Sequence, residues 1–415
     1  MIRKVMEVIH EKAGGLDVHK ETILACRRRL LARGQVEVES SEFGTMTRQL
    51  EGMASWLEEW EVTDVAMEST GVLWIPVWNV LSGRFKLLLV NAQHLKKVPG
   101  RKDDVKDAEW IAQCHQFGLL RASFVPNIEV RQWRELTRGR MKLIDHHTSV
   151  VNRIHRVLQQ GNIKLSSVAS DVLGVSGRAM IKAMIKGESD PQKLAELARG
   201  RLKGKHEQLV ESLNGQLTQQ QRWVLSQLWE QIEESERRLA LYDGEIRESM
   251  RSCEEKLERL VTIGGVNRRS AENILAEVGS NMGQFPTDDD LVSWSGLCPG
   301  RNQSAGKNRS GKMPKGNHWL KRTLIEPAWA ATREKDSYLA ALYRRLASRR
   351  GKKRAVVAVA RTILVAVWHI LREDVEYKEL GGNYFDHIDE DKIKRNLVKR
   401  LEKLGYDVKL KKNAA

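Results

Sequence analysis

Residues 14–43 read GGLDVHKETILACRRRLLARGQVEVESSEF, and the fold class of the chain's first part turns on them. Three short strand-like runs, GGLDVH, ETILACRRRL and VEVESSEF, follow one another with turn or polar residues between them. Next, TRQLEGMASWLEEW (47–60) repeats its apolar residues at helical spacing, and VTDVAMEST (62–70) reads as a strand. GVLWIPVWNVLSG (71–83) reads as a helix, FKLLLVNAQ (85–93) as a buried strand and DDVKDAEWIAQCHQFGLL (103–120) as a helix.

Three consecutive strands followed by alternating helices and strands predict an α/β domain of ribonuclease-H-like order over residues 1–125. A doubly wound nucleotide-binding fold would place a glycine-rich turn after its first strand, whereas this one ends in Asp17-Val18-His19. Residues 126–258 are predicted to be almost wholly helical. Their long segment 206–260 repeats Leu, Trp and Ile at spacings of three and four among Gln, Glu and Arg, as in a coiled coil or long hairpin. Such a segment spaces two domains or forms a subunit interface. From residue 259 to 415 a mainly helical third domain is expected. It opens with LVTIGGVNRRSAENILAEVG (260–279), which resembles a helix-hairpin-helix with Gly264-Gly265 in the turn. Backbone amides of such a turn can hold a DNA phosphate.

Composition narrows the function. The 415 residues carry 70 Lys and Arg against 54 Asp and Glu, a net charge of +16. At about 150 residues per domain, two or three domains are expected. An apolar fraction of 41% is too high for a disordered chain. The mean hydropathy is negative, and no uninterrupted apolar run reaches about 18 residues, which argues against a membrane span. The opening MIRKVMEVIHEK places charges where a signal peptide needs an apolar stretch, so a cytoplasmic location is expected. Cys26, Cys114, Cys253 and Cys298 form no CxxC pair, so neither a zinc site nor a disulfide framework is expected. The excess positive charge points to nucleic acid.

Four carboxylates stand out by position. Asp17 lies in the first strand, Glu68 at the end of a later one, and Asp104 and Asp107 at a helix start, spaced so that both project from one face. In a ribonuclease-H-like sheet the ends of the first and fourth strands are adjacent and this helix packs beside them. Carboxylates so close repel one another unless a cation sits between them, and hard oxygen ligands favour one or two Mg²⁺ ions. Taken singly, Asp104 also reads as a helix cap and Glu68 as a solvated side chain. His19, two residues after Asp17, shares its side of the strand and reads as a polar strand end or as a group that adjusts the metal site.

The blocks GLDVHK (15–20), AMESTG (66–71) and GRKDDVKDAEWIA (100–112) resemble those of DEDD transposases of the insertion sequence 110 family. The catalytic domain of that family resembles RuvC-type Holliday-junction resolvases. Its third block usually reads Lys-Thr-Asp-x-x-Asp-Ala; here Asp103 replaces the Thr, and the spacing selects Asp104 and Asp107. The likeness continues through almost the whole chain.

A second constellation lies at residues 301–322, with seven Lys or Arg, no acid and many Gly and Ser, too many for a regular element to be expected. Arg301, Lys307, Arg309, Lys312 and Lys315 suit a loop that grips DNA phosphates without chemistry. They equally suit charge stabilisation around a serine nucleophile, either Ser304 or Ser310. The family resemblance implies that a serine in a Ser-(Gly/Ala)-Gly-Lys setting is the strand-exchange nucleophile, and Ser304 matches it. It also implies a composite site of two domains within a tetramer, a dimer of dimers. Donor and target DNA are its implied substrates, and a structured noncoding guide RNA pairs with both.

Arg131, Arg134, Arg138, Arg140, Arg153 and Arg156 form a basic helical run suited to RNA phosphates, or an ordinary solvated face. Trp74, Trp78 and Trp110 fall on apolar faces and read as core. The chain is thus expected to be an enzyme: a guide-RNA-directed, serine-dependent DNA recombinase, nucleoid-associated through its DNA. The alternative is a RuvC-like endonuclease that only hydrolyses DNA.

Overall fold

In the first unit, apolar residues alternate along each strand and sort the sheet into two faces. Strand β1 (Lys12–Val18) turns Leu16 and Val18 to one side, and β2 (Thr22–Leu30) turns Ile23 and Ala25 the same way. Helices α1 (Thr47–Glu58) and α2 (Trp74–Leu81) cover that face with Leu50, Met53, Leu57, Val77 and Leu81. Strands β3 (Val36–Gly44), β4 (Asp64–Ser69) and β5 (Lys86–Val90) complete a sheet of order β3-β2-β1-β4-β5. β1 and β3 run antiparallel to β2, whereas β4 is parallel to both β1 and β5. Helix α3 (Asp107–Gln116) covers the opposite face, packing Ala108, Ala112, Trp110 and Ile111 near Cys26 and Ala66. This is the mixed α/β sheet that the strand-like runs predict.

The computed structural model describes residues 7–69, 71–91, 95, 98, 107–298, 302–304, 307–309, 313–388 and 390–410, with backbone only for 33, 69, 302–304, 307–309, 392 and 393. It forms two compact units, Met1–Val125 and Pro126–Ala415.

Three successive arginines in β2 find separate partners because a strand alternates its side chains. Arg27, 5% exposed, points to the α1 face, where Glu39 accepts at 2.7 and 3.0 Å and its guanidinium lies 4.2 Å from the Trp56 ring centre. Arg28 points to the α3 face and donates to Gln116 Oε1 at 3.2 Å. Arg29 returns to the first face and pairs with Glu37 at 2.7 Å.

The second unit is mainly helical. Two long helices, α4 (Ile128–Gln160) and α5 (Gln219–Ser249), lie side by side. Trp133 Nε1 donates to the Ser249 carbonyl at 3.0 Å, Arg140 meets Asp243 at 2.9 Å and His147 faces Glu236 at 3.6 Å, so the pair is antiparallel. Each helix starts where a polar residue supplies the cap: Asn127 accepts from Val130 N, and Thr218 accepts from Gln221 N. One stretch of apolar residues on α5 is used within the chain, whereas Trp223 and Leu241 are exposed. Leu225, Leu228, Trp229 and Ile232 join one core with Val150, Ile154 and the short helices of residues 165–213. Beyond α5 come α6 (Glu254–Val261), α7 (Arg268–Val278), α8 (Asp288–Ser295), α9 (His318–Ala331), α10 (Tyr338–Arg350) and α11 (Lys352–Glu373). Helix α11 is long and apolar enough to cross a membrane by composition. Its Val356, Val359, Ile363, Leu364 and Val367 are nevertheless buried in the unit's core.

The structure corrects part of the basic run on α4. Arg140 is 1% exposed and donates to Glu272 at 2.6 Å, Asp243 at 2.9 Å and Asn273 at 2.9 Å. Arg138 makes a two-pronged pair with Glu277 at 2.7 and 2.9 Å, and Arg134 donates to the Ala276 carbonyl. Burial pushes the Arg134 guanidinium down to about 10, against the pull of Glu277. These three bind α7 to α4; Arg140 and Arg134 are turned away from RNA phosphates, whereas Arg138 keeps a third of its side chain exposed beside Glu277. Glu272 and Glu277 lie more than 130 positions away, where no periodicity in α4 reveals them. Removing one partner of a buried ion pair leaves the other charge stranded, so Arg140→Ala should lower the unfolding free energy by about 3–5 kcal/mol in urea titrations. Arg153→Ala, at an exposed position of the same helix, should change it by less than about 0.5 kcal/mol.

Candidate active site

Asp17 and Glu68 are register partners on neighbouring parallel strands, near the C-terminal ends of β1 and β4. Register partners in a parallel pair share a face, and neighbouring strands lie about 4.8 Å apart. Both residues belong to the face that α3 covers, since Gly15 and Ala66 on the same alternation lie against it. Asp17 is 18% exposed at its side chain, and His19 Nε2 stands 3.1 Å from its Oδ2.

What brings the third block to these strands is a glycine. A β-carbon at Gly15 would overlap the Ala108 carbonyl oxygen and the Ala112 nitrogen, and would stand 2.8 Å from Ala112 Cα. The bare backbone therefore lets α3 lie directly on β1. The helix runs against the strand: its last turn is tied to the segment before β1 by Ile9 N and His10 N donating to the Gln116 carbonyl at 2.9 and 3.1 Å. Its first residue, Asp107, consequently sits at the end where Asp17 and Glu68 lie. Asp103 and Asp104 fall outside the described residues.

In the second unit, residues 302–304 and 307–309 form two short antiparallel strands, β6 and β7, with Ser304 opposite Lys307. The expectation of no regular element is corrected here. The glycines fall at 306, 311 and 316, outside the two polar runs, and leave those runs free to pair. Arg301, Ser310 and Lys312 fall outside the described residues; Lys315 is exposed. The glycine pair expected to cradle a phosphate is half-buried, with the side of each Cα that lacks a side chain against protein. Gly265, at φ +82°, places its Cα where a β-carbon would stand 2.7 Å from Ala331 N on α9, and one at Gly264 would overlap the Glu334 carboxylate. Those glycines serve the close approach of the α6–α7 turn to α9. Along α4, Arg153 and Arg156 are exposed, and Arg156 lines a cavity of about 310 Å³ with Asn152, His155 and Gln159.

One cluster escaped the sequence reading. His10, Asp64 and His115 each place a ligand-type atom within 4.8 Å of the others. They are 54 and 51 positions apart, so no spacing marks them. Burial and the neighbouring His10 push the His115 imidazole down to about 4.

A family model described as a transposase, of the DEDD type of IS110, matches residues 14–163 and so spans Asp17, Glu68 and Asp107. A second, described as the IS116/IS110/IS902 transposase family, matches residues 257–344 and spans Ser304. The chain belongs to the IS110 family of transposases. It is 25% identical over 295 residues to the transposase for insertion sequence element IS1111A of Coxiella burnetii, covering 70% of this chain and 72% of that one. The transposase is therefore an enzyme acting on DNA, and its DEDD-family domain points to a divalent metal.

Because the transposase sets α3 on β1 through the missing side chain of Gly15, Gly15→Val should displace the helix without touching a carboxylate. Overpacking of this kind costs about 1–3 kcal/mol or more. The expected result is a protein that retains its far-ultraviolet dichroism, melts at a lower temperature and has lost at least tenfold in DNA strand cleavage, about 1.4 kcal/mol in activation free energy.

Proposed function

We propose that this transposase is a guide-RNA-directed recombinase that cleaves and exchanges DNA strands through carboxylate-bound Mg²⁺ and a covalent serine–DNA intermediate. The observation that carries the reading is the register of Asp17 with Glu68, beside the N-terminal end of α3 and its Asp107. Strand order β3-β2-β1-β4-β5, with β4 and β5 parallel to β1, supports the ribonuclease-H-like, RuvC-like assignment of this unit.

The donor set fits a hard cation. Asp17, Glu68 and Asp107 offer carboxylate oxygens on one face of the sheet, and the third block adds Asp104. Several carboxylates gathered this way are disfavoured without a cation, and Mg²⁺ takes oxygen ligands. Once bound there, Mg²⁺ would activate an attacking oxygen and offset charge on the leaving one. His19, 3.1 Å from Asp17, restrains that carboxylate.

Recombination must conserve the energy of a broken phosphodiester, and an ester between protein and DNA does so without a high-energy cofactor. In the proposed step the Ser304 hydroxyl oxygen bonds to phosphorus while one deoxyribose oxygen departs. The serine proton is released and the departing oxygen is protonated, so no net charge is created. Arg301, Lys307 and Arg309 supply positive charge for the phosphate. Ser304 stands opposite Lys307 in the β6–β7 ladder, which supports Ser304 over Ser310. RNA is assigned to the exposed Arg153 and Arg156 of α4. Assembly as a dimer of dimers belongs to the same reading.

Asp17→Ala, Glu68→Ala, Asp104→Ala and Asp107→Ala should each abolish strand cleavage and leave DNA retention in a gel-shift assay largely intact. Asp103→Ala should be milder, and the reverse ranking of Asp103 and Asp104 would show the register of the third block to be wrong. On a denaturing gel of end-labelled DNA, wild type and Ser304→Ala separate the mechanisms. Wild type should give slow, protease-sensitive DNA, and Ser304→Ala none. Free nicked DNA from both would support the hydrolytic endonuclease instead. The purified protein should also carry a specific structured RNA that salt releases steeply. Replacing Arg153 and Arg156 together should reduce that RNA without lowering the melting temperature. Random cellular fragments in the sequenced RNA would rule out the guide.

A further inference from the structure

We propose that His10, Asp64 and His115 form a zinc site at the end of the first unit's sheet opposite the catalytic carboxylates. His10 Nδ1 stands 3.3 Å from Asp64 Oδ1, and the two imidazoles stack with centres 4.6 Å apart at 28°. His115 is 3% exposed, and its buried Nε2 has no hydrogen-bond partner among the described residues. Buried polar atoms are nearly always paired, so an unpaired imidazole nitrogen beside a second imidazole and a carboxylate calls for a ligand.

The donor chemistry selects the ion. Two imidazoles and one carboxylate form a set that zinc accepts, with a water completing four ligands. Mg²⁺ and Ca²⁺ take oxygen ligands and are disfavoured by two nitrogens. Zinc bonds of about 2.0–2.1 Å set tetrahedral ligand atoms about 3.3 Å apart. The His10–Asp64 pair already has this separation, and no pair in the cluster exceeds 4.8 Å. His10, 26% exposed at its side chain, has room to tilt and close the remainder. The other carboxylate oxygen, Asp64 Oδ2, accepts from Thr63 Oγ1 at 2.6 Å, an outer contact that orients the ligand.

This site is separate from the catalytic one. Asp64 precedes Glu68 by four residues on β4, about 13 Å along a strand. His115 follows Asp107 by eight residues on α3, about 12 Å along a helix. The three ligands come from the segment before β1, the start of β4 and the last turn of α3. A bound ion would therefore fasten α3 to the sheet at the end away from Asp107, adding to the two backbone bonds from residues 9 and 10 to Gln116. An ion that binds only the folded state raises stability with its concentration.

The test uses the full-length, untagged protein, stripped with chelator and titrated with Zn²⁺ in excess Mg²⁺ so that carboxylate-only sites are filled. One equivalent of zinc should bind and raise the melting temperature, and Co²⁺ in its place should show the intense visible absorption of a four-coordinate site. Thr63→Val should weaken zinc binding about 10- to 100-fold, and His10→Gln and Asp64→Asn should weaken it further. Asp17→Asn and Glu68→Gln should bind zinc as wild type does. His10 and Thr63 are partly or fully exposed, so those variants test the site without disturbing buried His115. The proposal is overturned if wild type takes up no zinc, if His10→Gln takes up as much as wild type, or if only the Asp17 and Glu68 variants lose it.

Discussion

Helix α3 lies on strand β1 with its backbone against the backbone of Gly15, where any β-carbon would overlap Ala108 and Ala112. That contact fixes the height and direction of the helix together. Because α3 runs against β1, its first residue is delivered to the end of the sheet that holds Asp17 and Glu68, and its last turn to the end that holds Asp64. Two chemically distinct clusters thus hang from one close approach. Asp17, Glu68 and Asp107 gather at one end of the helix and His10, Asp64 and His115 at the other, separated by its length.

Positive charge in this chain is divided between two uses. Arg27 and Arg140 are among its most buried side chains, and each is held by two carboxylates. Taking a guanidinium out of water is costly, and such pairs contribute geometry more dependably than net stability. Here they fix which helices touch: Arg27 holds β2 to α1, and Arg140, Arg138 and Arg134 hold α4 to α7. Other arginines, such as Arg153 and Arg156, stay exposed to solvent. A net charge of +16 therefore points to nucleic acid without showing which residues meet it.

The legible part of the fold followed from short-range patterning. Alternating apolar residues located β1 to β5, and helical spacing located α1 to α3, because each pattern is set by neighbours within a few positions. Asp17, Glu68 and Asp107 were legible for a related reason: each ends or begins an element, so its place follows once the elements are ordered. The packing of the helix-hairpin-helix glycines was not legible, because a glycine looks the same in sequence whether its bare Cα meets open space or, as at Gly265, the backbone of another helix. Glycine content likewise concealed the β6–β7 ladder, whose pairing runs are only three residues each.

By itself, the sequence determined the strand and helix order of the first unit, the helical character of the second and the acidic residues that share a sheet edge. Those depend on local periodicity and on chain order, both of which are written in consecutive residues. The tertiary structure alone decided which arginines are spent on Glu272 and Glu277, and that His10, Asp64 and His115 meet. Partners separated by 50 to 140 positions leave no mark on one another's neighbourhoods. Their pairing follows from how closely helices and strands can pack, and for α3 that limit was set by the absent side chain of Gly15.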